Sequence, residues 1–279
     1  MNTTHQVAVL LATYNSERYI KTQLDSLINQ SFQDFNVYIH DDGSTDGTLK
    51  IIGDYIKKYP NISILEDNIK GRQAAASFMW LLEKVDADYY MFCDHDDVWL
   101  PDKIALSVIK IGQMESAYGS NMPCIVHSDL IVVDDRLICT ADSFWRESKI
   151  KPTILENFNY IGVCNCVTGC TMIFNEAAKK ISLPYFKGAP MHDWWVAANV
   201  ARDGRIQHLS QATILYRQHG DNVVGARTVD GSYFIRRLIS LRNTLREHKE
   251  LQPFLRKVRY GGFIKYYFFK LLYLIRRLY

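Results

Sequence analysis

The chain runs Tyr89-Tyr90-Met91-Phe92-Cys93 directly into Asp94-His95-Asp96-Asp97, an apolar run ending in three carboxylates within four positions. Such a run bounded by turn-forming residues reads as a buried strand. The acids then stand at the end of a sheet, where open α/β folds bind their ligands. Packed carboxylates repel one another unless a cation or hydrogen-bond donors offset them. An Asp-x-Asp pair at a strand end suits a divalent ion that also grips a diphosphate, because Mg²⁺ takes one or two carboxylates together with phosphate oxygens and water. The same residues would also serve as a solvated acidic turn opening a helix after Pro101, with Asp102 facing its dipole.

Upstream of this stretch, strand and helix signals alternate. Val7–Ala12 is an apolar strand run, and Tyr14-Asn15-Ser16 supplies a turn and cap before Ile20, Leu24, Leu27 and Ile28, which fall on one helical face. Phe35, Val37 and Ile39 alternate as a second strand, and Asp41-Asp42-Gly43-Ser44-Thr45-Asp46-Gly47 is a dense loop and cap cluster. Leu49, Ile52 and Ile56 continue as a helix that Pro60 ends. Ile62–Leu65 predicts a third strand, Ala74–Leu82 a helix and Asp88–Cys93 a fourth strand. Alternation of this kind predicts parallel βαβ units and a doubly wound, mostly parallel twisted sheet flanked by helices. Downstream the pattern loosens. Pro101–Gln113 reads as a helix, Cys124–Val133 and Thr171–Phe174 as strands, and Asn175 as a helix cap. His192–Arg202 reads as a helix closed by Gly204, and Arg205–Leu209 and Thr213–Tyr216 as two short strands.

The 279 residues can bury a sizeable core, and a net charge of +3 with 23% charged residues argues against nucleic acid as a partner. Val7–Ala12 lacks a basic leader and so reads as a strand rather than a signal peptide. No run of about eighteen uncharged apolar residues appears, so no spanning helix is expected. The six cysteines are expected to be reduced thiols. Cys164, Cys166 and Cys170 lack a paired C-x-x-C spacing and read as small buried side chains rather than a zinc site.

Composition shifts after about Tyr233, which divides the chain into a main domain over residues 1–230 and a C-terminal helical segment over 231–279. In that segment Arg236, Arg237, Arg242, Arg246, Arg256, Lys257, Arg259, Lys265, Lys270, Arg276 and Arg277 interleave with aromatic and aliphatic residues, and Glu250 is the last acid. Basic amphipathic helices of this kind lie in membrane interfaces that carry anionic lipid. Phe268, Phe269, Leu271, Leu272 and Leu274 are too many for one buried stripe, which favours membrane contact over a simple packed appendage.

Three polar stretches besides the acidic tetrad and the 41–47 loop carry chemistry. Thr13-Tyr14-Asn15 follows the first strand. His192-Asp193-Trp194-Trp195 places an acid where it can cap a helix or take a proton from an attacking hydroxyl, with tryptophans able to face a sugar ring or pack in the core. Tyr216-Arg217-Gln218-His219-Gly220-Asp221-Asn222 offers Arg217 and His219 to a phosphate or a metal. In the 41–47 loop, a carboxylate can accept the imide N–H of uracil or thymine, a contact that discriminates because a buried unpaired acceptor is penalised.

Taken in order, Ala12-Thr13-Tyr14-Asn15, Asp41 to Asp46, Cys93 to Trp99, Thr168-Gly169-Cys170-Thr171 and His192 to Trp195 resemble the family 2 glycosyltransferases over roughly residues 5–225. The Asp-x-Asp-Asp-x-Trp and His-Asp-Trp-Trp forms are similar to its rhamnosyltransferase-like branch. That resemblance implies a GT-A fold, a nucleotide-diphosphate-sugar donor, Mg²⁺ or Mn²⁺, and inversion at the anomeric carbon. It implies that Asp42 holds the pyrimidine base, with Thr13, Asn15 and Asp94 near the nucleotide. Asp94 and Asp96 would bind the metal, with His219 as a further metal or phosphate contact. Asp193 would be the general base, and Gly169, Trp194, Trp195 and Asp97 would lie toward the sugar and acceptor. Many relatives carry Glu-Asp where this chain has His192-Asp193, which leaves the role of His192 open.

The branch suggests dTDP-L-rhamnose as donor, with another UDP- or dTDP-hexose, or a sugar nucleotidyltransferase reaction, as alternatives. The expected acceptor is a lipid-linked bacterial surface glycan such as an O-antigen, met by a peripheral protein on the cytoplasmic face of the plasma membrane. A nicotinamide oxidoreductase would show G-x-G-x-x-G after the first strand, where this chain has Thr-Tyr-Asn. A nucleotidyltransferase would show a glycine-rich phosphate loop there. A membrane adaptor would leave the ordered acids without a purpose, and a processive synthase would need spanning helices and a Gln-x-x-Arg-Trp motif.

Overall fold

A computed structural model describes residues 6–67, 69, 71–154, 156–219 and 241–278. The first half follows the alternation of the sequence. It runs β1 (Val7–Thr13), α1 (Ile20–Ile28), β2 (Phe35–Asp41), α2 (Thr48–Lys58), β3 (Ile62–Ile64), α3 (Ala74–Lys84) and β4 (Tyr89–Asp94). The second half comprises β5 (Val98–Trp99), α4 (Lys103–Tyr118), β6 (Cys124–Val133), β7 (Cys139–Ala141), α5 (Phe144–Glu147), α6 (Phe158–Ile161), β8 (Ile173–Asn175), α7 (Glu176–Ser182), α8 (His192–Asp203) and β9 (Arg205–Arg217). Two helices, α9 (Leu241–Lys257) and α10 (Phe263–Leu278), follow.

These strands form one nine-stranded sheet in the order β3-β2-β1-β4-β8-β6-β9-β5, with β7 paired to β6. β1 is entirely buried, and its alternating side chains feed two cores. Val7, Val9 and Leu11 pack with α1, α2 and α4, whereas Ala8, Leu10 and Ala12 face α3, α8 and the C-terminal helices. A strand covered on both faces needs apolar residues at every position, which is why the Val7–Ala12 run shows no alternation.

β1 pairs in parallel with β2 on one side and β4 on the other, with Thr13 opposite Asp41 and Ala12 opposite Asp94. Three sequence-distant motifs therefore emerge along one edge, at the point where successive strands depart in opposite directions. Beyond β4 the sheet departs from the doubly wound pattern. β8 runs antiparallel to both β4 and β6, and β9 returns parallel to β6, so the sheet is mixed. The two short strands expected over 205–216 are one strand, Arg205–Arg217, whose register against β6 shifts around Asp129. The polar break at Ser210-Gln211 is an irregularity within a continuous ladder. β5 and β7, two and three residues long, are too short to leave a periodic signal. Asn175 caps α7 as expected: its Oδ1 accepts from the backbone of Ala178 (3.1 Å) and Cys124 (3.0 Å), while its Nδ2 donates to Glu115 and Met122.

The described part of the C-terminal segment is helical. The boundary at 230/231, the Gly220-Asp221-Asn222 end of the polar loop, Arg236 and Arg237 lie outside the described residues, as does the side chain of Arg242. Phe254, Val258, Tyr260, Tyr266 and Tyr273 are buried in the same core as α3 and α8. Lys270 and Arg277, read with the basic residues of an interfacial helix, are buried instead: Lys270 pairs with Glu247 (2.9 Å), and Arg277 donates to the Ser148 carbonyl. Among the described residues no helix is long and apolar enough to cross a membrane.

The Tyr260 ring lies flat against Gly162, where a β-carbon would collide with it, and its hydroxyl donates to the Asn159 carbonyl at 2.5 Å. Gly162→Ala is therefore expected to lower stability by roughly 1–3 kcal/mol, as overpacking does, and to loosen α9 and α10 first. Thermal unfolding together with limited proteolysis after residue 240 checks this; an unchanged melting temperature and unchanged cleavage would refute it.

Candidate active site

The loop after β2 is built around Asp41. Its carboxylate accepts from the Thr13 hydroxyl (2.8 Å), the Ser44 hydroxyl (2.6 Å) and the Gly43 and Ser44 backbone N–H groups. Thr13 is thus a buried brace for the loop rather than part of the cleft wall. Asn15 sits at φ 46°, a left-handed conformation that asparagine tolerates. Its Oδ1 accepts from Thr45 N–H at 2.9 Å, so it ties the two loops together while lining the cleft. Asp42 also lines the cleft and accepts from the backbone N–H of Arg72 (2.8 Å) and Gln73 (3.0 Å). Gln73 has φ 68°, a strained backbone held by that bond at the start of α3.

The acidic tetrad divides into wall and floor. Asp94 and Asp96 line the cleft, whereas Asp97 is fully buried beneath them. Asp97 Oδ1 accepts from Arg217 N–H (3.1 Å), and the Cys170 thiol is its other neighbour. Candidate ligand atoms of Asp94, Asp97 and Cys170 lie within 4.8 Å of one another. Burial, then the charges of Asp96 and Asp193, push the Asp94 carboxyl up to about 7. Burial, then Asp96 and Asp94, hold Asp97 well above the usual carboxylate range. Lys103 is completely buried behind this group, its Nζ 4.6 Å from the Trp99 ring centroid, and burial lowers it to about 8. His219 Nε2 lies 2.8 Å from Asp96 Oδ2, and its ring stacks on Tyr19 at 4.8 Å. Arg217 is buried: its Nε donates to the Asp96 carbonyl (2.8 Å) and its Nη1 to the Asp135 carbonyl (2.7 Å), so it braces the wall from behind.

The opposite wall is the first turn of α8. Asp193 Oδ2 accepts from Gly169 N–H (3.0 Å) and Oδ1 from Trp194 N–H (2.5 Å). Burial raises its carboxyl to about 6, against the opposing pull of those N–H groups. Gly169 is required by close approach: a β-carbon there would lie 2.8 Å from His192 Nε2. His192 is buried between Phe78 (4.4 Å) and Phe92 (4.7 Å), and burial lowers it to about 3, so it is a neutral ring at physiological pH. Trp194 lines the cleft with its indole N–H on the Ile161 carbonyl. Trp195, expected near the sugar, is a core residue: it is 4% exposed and donates to the Ser182 carbonyl at 2.6 Å. Asp97 likewise belongs to the floor and not to the acceptor side.

One cleft of about 1250 Å³ joins these walls, lined by Asn15, Asp42, Asp94, Asp96, Asp193 and His219 among others. It also takes in Tyr19, Gln73, Asn165, Glu247, Glu250 and Lys270, none of which the motifs marked. Tyr19 and Asn165 carry no local signal. Glu247 and Glu250 were visible as the last acids before a basic tail. The donor set fits a divalent cation. Asp94 and Asp96 present hard carboxylate oxygens to the cleft, and a cation there would offset the burial and the Asp96 and Asp193 charges that raise the Asp94 carboxyl. His219, hydrogen-bonded to Asp96, would orient that ligand as second partners of metal-binding groups do.

Residues 8–182 match the family model described as glycosyl transferase family 2. The dTDP-rhamnosyl transferase RfbG of Shigella flexneri is 30% identical over 228 residues, covering 77% of this chain and 74% of that protein. A poly(ribitol-phosphate) beta-glucosyltransferase of Bacillus spizizenii is 28% identical over 150 residues, 48% of this chain and only 24% of that one. In structure, S. aureus TarS 1–349 in complex with UDP superposes with a TM-score of 0.59 at 21% identity, covering 76% of this chain and 60% of that one. The mannosyltransferase PcManGT of Pyrobaculum calidifontis, in complex with GDP-Man and Mn²⁺, superposes with a TM-score of 0.57 at 15% identity over 98% of this chain and 85% of that one. The mixed α/β sheet is thus the GT-A fold, and with the family match across most of that sheet the chain belongs to glycosyl transferase family 2 as a rhamnosyltransferase-like glycosyltransferase.

Proposed function

We propose that this glycosyltransferase moves L-rhamnose from dTDP-L-rhamnose, with inversion and with Mg²⁺ or Mn²⁺, to a hydroxyl of a lipid-carried bacterial surface glycan at the inner membrane face. The observation that carries this reading is the convergence of Asp42, Asp94, Asp96 and Asp193 on one cleft. The donor assignment draws on the likeness to RfbG across 77% of the chain.

In this reading Asp42 receives the imide N–H of the thymine ring. Its two oxygens carry about four lone-pair sites, so the bonds from Arg72 and Gln73 orient it and leave capacity for the base. Asp193 takes the proton of the acceptor hydroxyl as that oxygen attacks the anomeric carbon and the diphosphate leaves from the opposite face. Its raised carboxyl is a stronger base than a solvated aspartate, and the Gly169 and Trp194 N–H groups fix its direction. A single base suffices because the diphosphate is already a good leaving group; a hydrolase would need a second carboxyl as acid. A divalent ion on Asp94 and Asp96 would supply positive charge to the departing diphosphate. Asp97, Arg217 and Lys103 are positioning residues under the floor, and Trp194 offers an apolar edge to a sugar.

A panel of nucleotide sugars, assayed by thermal shift with Mn²⁺ and then by transfer, tests the donor. A saturating ligand of the native state adds about 2.7 kcal/mol at a hundred times its Kd. dTDP-L-rhamnose is expected to raise the melting temperature most; an equal or larger shift with a UDP-hexose would replace it as donor. Asp193→Asn is expected to lower kcat by roughly 10²–10⁴-fold with donor affinity retained, and near-normal turnover would remove Asp193 from the chemistry. For the parent enzyme kcat/KM should decline by roughly tenfold per pH unit below about 6, as Asp193 takes up its proton, and be fully present above it. The Asp193 charge in turn raises Asp94 and Tyr185, and His192 stays neutral throughout that range. A flat profile down to pH 5 would contradict the assignment. In Asp96→Ala, calorimetry should find donor affinity no longer responsive to Mn²⁺; an unchanged response would reject Asp96 as a ligand.

A further inference from the structure

α10 carries two opposed stripes. Tyr266, Lys270, Tyr273 and Arg277 are buried against the domain. Ile264, Phe268, Leu271 and Ile275 follow at the same 4-3-4 spacing half a turn away, and they are 84%, 55%, 48% and 42% exposed. At 100° per residue the second stripe points directly away from the packed one. A helix that already has its buried face gains nothing in water from a second apolar face. The outer stripe continues into an apolar recess formed by Gly262, Phe263, Ile264, Lys265, Phe268 and Phe269.

Charge selects the occupant. No acid follows Glu250 in the sequence, whereas Arg256, Lys257, Arg259, Lys265 and Arg276 precede the stripe or fall among or just after its residues. Lys265 and Arg276 fall on the same edge of the helix, where Lys265 lies over the Phe158 and Tyr260 rings and Arg276 over the Tyr160 ring, so their charge borders the outer stripe without covering it. A second copy of this chain would bring two such basic surfaces together without counter-charge. An anionic bilayer offers both an apolar zone and the counter-charge. On the inner side of the same helical pair, Glu247, Glu250, Leu251 and Lys270 line the catalytic cleft.

We propose that the outer face of α10 lies in the interface of an anionic lipid bilayer, and that α9 and α10 thereby hold the acceptor side of the cleft at the lipid surface. The second clause rests on the reading of the acceptor as lipid-carried; the first does not. Ile264, Phe268, Leu271 and Ile275 enter the headgroup–acyl boundary while the cations meet lipid phosphates. A glycan on a lipid carrier then reaches Asp193 past Glu247 and Glu250 without leaving the membrane surface.

Flotation of the full chain with phosphatidylglycerol-containing vesicles, against pure phosphatidylcholine vesicles, at low and high salt, tests this. Binding is expected on the anionic vesicles, weakened by salt. Phe268→Glu with Leu271→Glu, or Ile264→Glu alone, should lower the partition coefficient by about tenfold or more. Both variants should keep the parent's melting temperature and donor-induced thermal shift, since these side chains face outward. Transfer to a vesicle-borne acceptor should fall in the variants, and transfer to a water-soluble acceptor fragment should not. Absence of binding by the parent, or equal binding by parent and both variants, would overturn the proposal. So would a dimer in lipid-free solution that the stripe substitutions dissociate, which would make the occupant a second copy. Intact vesicle binding with no transfer from any donor would instead overturn the enzymatic reading and leave the surface standing.

Discussion

Several carboxylates held close together in a partly dry cleft repel one another, and much of the surrounding architecture answers that repulsion. Asp97 takes the Arg217 N–H, Asp193 takes those of Gly169 and Trp194, and Asp96 meets His219. The buried Lys103 ammonium lies behind the group. Asp94 is nonetheless raised, by burial and then by the charges of Asp96 and Asp193, and Asp193 is raised by burial. Positive charge brought to such a cluster would stabilise its ionised form. The acids persist because the structure supplies oriented donors in place of water.

Those donors come from elements far apart in the chain, so the strand register matters as much as the acids. Thr13 stands opposite Asp41 and Ala12 opposite Asp94 because three parallel strands share one starting register. A one-residue slip would turn each side chain to the other face of the sheet and bury the polar ends in the two apolar cores. The antiparallel β8 then brings Gly169 beneath α8, and the missing side chain of that glycine lets His192 and Asp193 approach the acid pair. Neutral His192, stacked on Phe78 and met edge-on by Phe92, serves as an aromatic spacer at this contact.

The C-terminal helices extend the same logic to the protein's exterior. They contribute Glu247, Glu250, Leu251 and Lys270 to the cleft lining and share the core that holds α3 and α8. Their basic character is divided by burial. Lys270 and Arg277 turn inward to Glu247 and the Ser148 carbonyl, while Lys257, Lys265 and Arg276 lie over the Phe186, Phe158 and Tyr160 rings and the apolar stripe stays exposed. One helical pair thus has a cleft-lining side and an outer side with different chemistry.

Periodicity and strand-end chemistry, both local properties, were legible in the chain. The strands and helices up to Asp94 stand within a few residues of their expected bounds, and the family-specific motifs sit at the ends of those strands. Short-range reading failed where the ladder itself decides the structure. Continuity of β9 past Ser210 depends on hydrogen bonds from β6, and β5 and β7 exist only through their partners. The split of Asp94 and Asp96 from Asp97, and of Trp194 from Trp195, likewise follows from what packs behind each side chain. Adjacent residues point in different directions, and the neighbours brought by Arg217, Cys170 and Ser182 determine which direction is core and which is cleft. A linear sequence specifies which chemical groups are available; the folded chain sets their distances, burial and shared solvent, and hence their ionisation.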